Sequence, residues 1–371
     1  MARSELKNYK RWVIKVGSAL LTDNGKGLNL AFVEQLAEQI AFLREQEIEV
    51  ILVSSGSVAA GLSQLGLDTR PQKINQLQAA AAVGQAALVQ SYEQAFQPLS
   101  IGIAQVLLTH ADIANRERYL NARSTLLTLL EYGQLVIINE NDTVATEEIC
   151  FGDNDSLAAL VVNLINAELL VILTDQQGLF TADPRIDAQA KLIQTARADD
   201  SSLMDMASGG SSVGRGGMVT KLTAAQIASK SGAHTVIASG RELNLLVRVY
   251  AGENLGTMLT SSARMASRKQ WMAGQMKVAG AFTLDEGAVN VLCSAGKSLL
   301  PVGVTEIQGE FTRGACVKCV SPDGKEVARG LSNYSSDEAR LIAGKSSAEA
   351  IALLGYGGES ELIHRDNMVL V

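Results

Sequence analysis

The chain is short of cysteine, of histidine and of surplus positive charge, and each shortage removes a class of function. Only four cysteines occur in 371 residues, Cys150, Cys293, Cys316 and Cys319. That is too few to staple a chain of this size, so a reducing cytoplasm is expected. Cys316 and Cys319 form a lone CxxC without a second pair or nearby histidines, and their Val-rich surroundings read as a β-strand rather than a zinc site. The three histidines, His110, His234 and His364, show no metal-ligand spacing, and no metal is expected on protein side chains. With 32 Lys+Arg against 39 Asp+Glu the net charge is −7, so general attraction to nucleic acid or an anionic membrane is not expected. No run approaches the roughly 18 apolar residues of a membrane span. The first residues, Met-Ala-Arg-Ser-Glu-Leu-Lys, lack the apolar centre of a signal peptide. There is no internal repeat.

What the chain does contain is apolar material, 47% of its residues, enough for two or three domains. Short β-branched runs at 11–16, 49–53, 103–108, 135–138, 169–173 and 234–238 have the character of buried parallel strands. Helical patterns separate them: Leu30, Val33, Leu36, Ala37, Ile40 and Leu43 share one face, and an Ala-rich stretch from Gln76 to Phe96 ends at Pro98. This alternation predicts an α/β fold, a three-layer αβα sandwich with a mainly parallel sheet. Turn residues between Asp175 and Ala198 predict a hairpin excursion. The rhythm stops near residue 260. A polar, basic stretch over 261–277 reads as a linker, and 278–371 carries short strands punctuated by Asp-Glu-Gly, Pro-Asp-Gly-Lys and Gly-Tyr-Gly-Gly, the pattern of a small β-rich domain.

The densest chemistry lies between Ile137 and Asp155, where six carboxylates and three amides follow an apolar strand-like run. Such groups are costly to bury without partners, on the order of 1–3 kcal/mol each and more for a charge. A binding site at a strand end is therefore the favoured reading over a solvated acidic loop. Gly-rich or polar segments recur after other strands: Lys15-Val-Gly-Ser18, Ser54-Ser-Gly-Ser57, Gly152-Asp-Asn-Asp155 and Gly214-Arg-Gly-Gly-Met-Val-Thr-Lys221. Glycine lets backbone N–H groups approach an anion, helix N-termini add partial positive charge, and Lys15 and Lys221 add whole charges. Together they form a set of parts for handling phosphate. Two look-alikes fail. Gly296-Lys-Ser298 and Gly344-Lys-Ser346 lack the earlier P-loop glycine, which is Val291 in one case and Ala339 in the other, and the third glycine of a Rossmann fingerprint at 214–219 is Val219.

The segments I-N-E-N-D (138–142), G-D-N-D (152–155), L-T-D-Q-x-G-L-x-T-A-D-P-R (173–185) and G-G-M-x-T-K (216–221) resemble those of the bacterial glutamate 5-kinase family, in the amino-acid kinase superfamily. The similarity runs over almost the whole chain. The C-terminal segment, with Asp285-Glu-Gly-Ala, Ser298-Leu-Leu-Pro-Val-Gly and Phe311-Thr-Arg-Gly, resembles a PUA domain. The resemblance implies a catalytic amino-acid kinase domain over 1–260 and a PUA-like domain over 278–371. It also implies ATP-dependent phosphorylation of the γ-carboxylate of L-glutamate, the first step of proline biosynthesis, with Mg²⁺ brought by ATP. On the matched positions, Lys15, Lys221 and Asp155 would be catalytic, and Ser55, Asp142 and Asn154 would bind glutamate. The nucleotide would be held by Lys15, Gly17, Thr174, Asp175, Arg215, Gly216, Gly217, Met218, Val219, Thr220 and Lys221. Arg215 departs from the small polar residue expected there. Proline feedback inhibition and assembly into a dimer or tetramer are further implications. An aspartate or N-acetylglutamate kinase would share the Lys/Gly scaffold but not I-N-E-N-D or the appended domain. RNA binding through the PUA-like domain is disfavoured by charge, since residues 279–371 carry eight basic and twelve acidic residues, a net of −4.

Overall fold

In the computed structural model, residues 3–22, 27–145, 154–208, 217–261, 278–356 and 358–371 are described, apart from the side chains of Ser208 and Ser347. The expected linker at 261–277 lies outside them except for its first residue. Contacts group the chain into two units: residues 1–113 with 123–264, and residues 114–122 with 265–371.

In the first unit the β-branched runs become strands and the 3.6-period runs become helices. The order is β1 (Arg11–Val16), α1 (Ser18–Leu21), α2 (Leu30–Glu45), β2 (Glu49–Val53), α3 (Ser57–Gln64), α4 (Ile74–Phe96), β3 (Ile103–Leu108), α5 (His110–Ala114), α6 (Arg116–Glu131, whose residues 116–122 group with the second unit) and β4 (Leu135–Glu140). There follow α7 (Asn154–Ile165), β5 (Leu169–Thr174), β6 (Thr195–Arg197), α8 (Ser202–Ser208), α9 (Met218–Ser229), β7 (His234–Ser239), α10 (Leu245–Tyr250) and β8 (Thr257–Thr260). The eight strands form one sheet in the order β3-β4-β2-β1-β5-β7-β8-β6. Every pairing is parallel except β7 with β8. The expected hairpin between Asp175 and Ala198 reduces to one antiparallel bridge, Phe180 to Leu192. Asp183 holds the intervening turn by accepting bonds from the Arg185 backbone and guanidinium, and the chain then joins the far edge as β6.

Strand parity decides what each face of the sheet carries. Trp12, Ile14 and Val16 pack with Val33, Leu36 and Ile40 of α2, Leu88 and Tyr92 of α4 and Leu246 of α10 in one apolar core. Lys15 has the opposite parity and faces α7 and α9, which pack against each other. Because β1 is central, with β2 on one side and β5 on the other, the strand order reverses around it. Ligands of open α/β sheets bind at the carboxyl ends beside such a reversal.

The second unit holds β9 (Gly280–Leu284), α11 (Glu286–Ala295), β10 (Val304–Gln308), β11 (Cys316–Val320), β12 (Glu326–Leu331), α12 (Ser336–Ile342), α13 (Ser347–Leu354) and β13 (Met368–Leu370). Its sheet order is β10-β9-β11-β12-β13, with Phe282, Leu292, Val317, Tyr334 and Ile342 in the core. Capping boxes at Ser335/Glu338 and Ser346/Glu349 start α12 and α13. Cys316 and Cys319 lie in β11 and pack into different apolar clusters, as a strand reading requires. Burial pushes the Cys319 thiol up to about 12. Among the described residues no helix is long and apolar enough to cross a membrane.

Candidate functional site

At the carboxyl edge of the large sheet lies a cleft of about 1260 Å³. Its chemistry is organised by the first two residues of α7, Asn154 and Asp155, whose side chains serve different halves.

Asp155 is fully buried behind the cleft and bridges two cations. Its Oδ1 stands 2.5 Å from Lys15 Nζ, and its Oδ2 lies 3.1 Å from Lys221 Nζ and accepts from Thr220 Oγ1 at 2.9 Å. The same hydroxyl lies 2.8 Å from Gly217 O, so its one hydrogen is shared between the two acceptors, tying the pair to the start of α9. Burial by itself pushes the Asp155 carboxyl up, but Lys15 and Lys221, with their hydrogen bonds and that of Thr220, outweigh it and hold the group below the usual carboxylate range. Both lysines are only 5% exposed, yet each lines the cleft, so their direction is set by the shared carboxylate rather than by solvent. Gly217 caps α9 and lines the cleft with Met218, Val219 and Thr220, placing the positive end of a 12-residue helix beside the lysines. Thr174 and Asp175, at the end of β5, line the same space, with Thr174 Oγ1 donating to Asp175 Oδ1 at 3.2 Å.

Asn154 organises the other half with no formal charge of its own. Its Nδ2 donates to Ser54 O at 2.5 Å and to Asn139 Oδ1 at 2.8 Å. Asn139, 1% exposed near the end of β4, also accepts at Oδ1 from the Glu140 N–H at 2.9 Å, and donates from Nδ2 to Gln85 Oε1 at 2.7 Å. With both amide hydrogens of Asn154 engaged, its Oδ1 is the part left for a ligand. Nearby Asp142 brings a carboxylate whose Oδ2 accepts from Ser57 Oγ at 2.9 Å, and Ser55 and Gly56 line the cleft between β2 and α3. Gly56 caps α3 at φ +95°, a conformation that suits glycine.

The cleft thus gathers Lys15, Lys221, Ser55, Asp142, Asn154, Gly17, Thr174, Asp175 and residues 217–220, with Asp155 directly behind. Arg215 and Gly216 lie outside the described residues. Gly17 lines the cleft, but its N–H donates to Leu173 O at 3.0 Å, so the amide expected to face a ligand there is already engaged. Reasoning from sequence missed Asn139 and Ser57, although both stand in the motifs named above, and it missed Gln85, which carries no local signal at all. Among the described residues no group of three or more His, Cys, Asp or Glu is placed to hold a metal ion.

Residues 10–239 match the amino acid kinase family and residues 280–354 match the PUA domain. The chain is 60% identical over 371 residues, the whole of both chains, to glutamate 5-kinases of Burkholderia multivorans and Burkholderia cenocepacia. Its fold is similar to that of carbamate kinase from Giardia lamblia bound to AMP-PNP, with a TM-score of 0.50, 17% identity, and coverage of 68% of this chain and 99% of that one.

Proposed function

The chain belongs to the amino acid kinase family, and on that premise we infer that it is a glutamate 5-kinase, transferring the terminal phosphoryl group of ATP to the side-chain carboxylate of L-glutamate to give L-glutamyl 5-phosphate. That reaction opens proline biosynthesis. The observation that carries the site assignment is the pairing of Asn154 with Asp155: consecutive residues hold an uncharged acceptor network and a lysine pair at one cleft.

In this reading the free α-ammonium of glutamate meets Asp142 and Asn154 Oδ1, with Ser55 beside them. The preference for acceptors disfavours N-acetylglutamate, which lacks that ammonium. Glutamate's side-chain carboxylate, with an ordinary pKa of about 4.3, is ionised at neutral pH and needs no general base. One of its oxygens forms the new P–O bond while the bond between the γ-phosphorus and the β-phosphate oxygen breaks, and ADP leaves; no proton has to move. The difficulty is bringing two anions together. Lys15 and Lys221 offset that repulsion and the charge spread over the transferring group, and Asp155 keeps both aimed. The start of α9, Gly217 to Lys221, and Thr174-Asp175 hold the nucleotide, as Arg215 and Gly216 would from the adjoining segment. Magnesium is carried by the ATP phosphates, where it adds charge neutralisation. A cytoplasmic location, a homo-oligomer of two or four subunits and inhibition by proline accompany the same reading. No nucleic-acid partner is proposed.

Incubation with ATP, Mg²⁺, glutamate and hydroxylamine tests it. Formation of the glutamyl hydroxamate together with ADP is the expected result. Hydroxamate formed from aspartate or N-acetylglutamate but not from glutamate would keep the family and overturn the substrate.

A further inference from the structure

The amide chain that reaches Asn154 does not end in the cleft. Its polarity is pinned by backbone groups at two points. Ser54 O can only accept, so the Asn154 atom 2.5 Å from it is Nδ2. The Glu140 N–H can only donate, so the Asn139 atom it meets is Oδ1, and that same atom receives the second N–H of Asn154. Asn139 must then present Nδ2 on its other side, where Gln85 of α4 offers Oε1 at 2.7 Å. Gln85 Nε2 is enclosed with no partner among the described residues, so the hydrogen bonding of this side chain rests on its acceptor. Two helical turns further along α4, Tyr92, fully buried, meets Ser54 Oγ at 2.9 Å, beside the carbonyl that anchors Asn154. One helix therefore buttresses both strand ends that orient Asn154.

We propose that Gln85 is a positioning residue for the amino-acid half of the cleft: by accepting from Asn139 Nδ2 it keeps Asn139 Oδ1 on Asn154, and so keeps Asn154 Oδ1 toward the substrate ammonium. The proposal rests on the glutamate reading above and adds a residue outside the cleft lining. Loss of the acceptor frees Asn139 to turn over. An inverted Asn139 sets its NH₂ against the NH₂ of Asn154, and one of the two must yield its place.

The test is steady-state kinetics on Gln85→Met, which keeps the length and removes the acceptor, and on Gln85→Glu, which keeps an acceptor at the same reach. Gln85→Met is expected to raise KM for glutamate by about five- to tenfold while leaving kcat and KM for ATP within about twofold, the pattern of lost ground-state binding. Gln85→Glu should restore KM to within about threefold of the wild type. In an Asn154→Ala background, Gln85→Met should add nothing further, because the effect passes through Asn154. Should the methionine variant fail to fold, Gln85→Asn, which withdraws the same amide by one methylene, carries the same expectation. Equal losses for ATP and glutamate, an unchanged KM for glutamate in a folded variant, or full additivity with Asn154→Ala would each overturn the proposal. Absence of glutamate-dependent turnover in the wild type would instead overturn the functional reading itself.

Discussion

The two halves of the cleft solve different problems with adjacent residues. Around Asp155 the structure uses charge: a buried carboxylate bridges two lysines, and the three groups are held by one another. Around Asn154 it uses amides and backbone groups, Ser54 O, Asn139, Glu140 N–H and Gln85, with Asp142 the one formal charge of the described contacts there. The difference fits the ligands proposed for the two halves. Phosphoryl transfer between anions needs cations that are already desolvated and aimed, since reorganising them during reaction would cost the advantage. An amino acid must be oriented but keeps its charges throughout, so directional hydrogen bonds serve better than further ion pairs.

The comparison breaks most severely at Asp155. Asp155→Asn leaves two nearly buried lysines without their shared countercharge, and removing one partner of a buried ionic group costs about 3–5 kcal/mol. The expected result is a fall in thermal midpoint together with a loss of kcat larger than that from any other single substitution at the cleft, measured by melting and initial rates. Lys15→Ala and Lys221→Ala come next, each lowering kcat by roughly 10²–10³-fold, the scale of one lost transition-state contact. Retention of full kcat by either variant would remove that lysine from the chemistry.

On the other half, Asp142→Ala and Asn154→Ala should raise KM for glutamate by about ten- to a hundredfold and leave KM for ATP near normal, as uniform binding loss predicts. A defect in ATP affinity instead would mean the halves are exchanged. A smaller effect on the same half comes from the packing beneath it. A Cβ on Gly84 would stand 1.9 Å from Ser57 O, and one on Gly61 would stand 1.7 Å from Ala80 O, so α3 and α4 touch through their backbones. Gly84→Ala should cost about 1–3 kcal/mol of stability. By shifting Ser57 and Gln85 it should also raise KM for glutamate more than KM for ATP. The least effect is that of pH. Asp155 is held below its ordinary value of 3.8, so the stability its ionised form contributes is complete above that value and is lost only as pH falls through the lower folded one. Melting temperatures between pH 6 and 8 should therefore show no inflection from this group.

The extent to which the sequence foretold this site varies with the physics that signals it. The six runs expected as strands all form; in five the β-branched apolar clusters report burial on both faces, while β3 lies at the sheet edge with only Leu108 buried. The cluster holding Asp142, Asn154 and Asp155 was legible from the carboxylates and amides crowded after β4, and Lys15 and Lys221 from the Gly-rich segments beside them, while their separate roles came only from the family resemblance. The excursion at 175–198 was expected as a hairpin and keeps one bridge of it. The edge strand β6 and its neighbour β8 were not expected, since their pairing joins segments distant in sequence. Gln85 was invisible for the same reason. A glutamine inside an Ala-rich helix reads as a solvated position, and only the fold brings it to Asn139, 54 residues away.

The separation of the two halves is tested most directly by measuring glutamate affinity without nucleotide, by calorimetry, on Lys15→Ala beside Asn154→Ala. Lys15→Ala is expected to bind glutamate within about threefold of the wild type, while Asn154→Ala loses about tenfold or more. Equal losses in both variants, or the larger loss in Lys15→Ala, would contradict that separation.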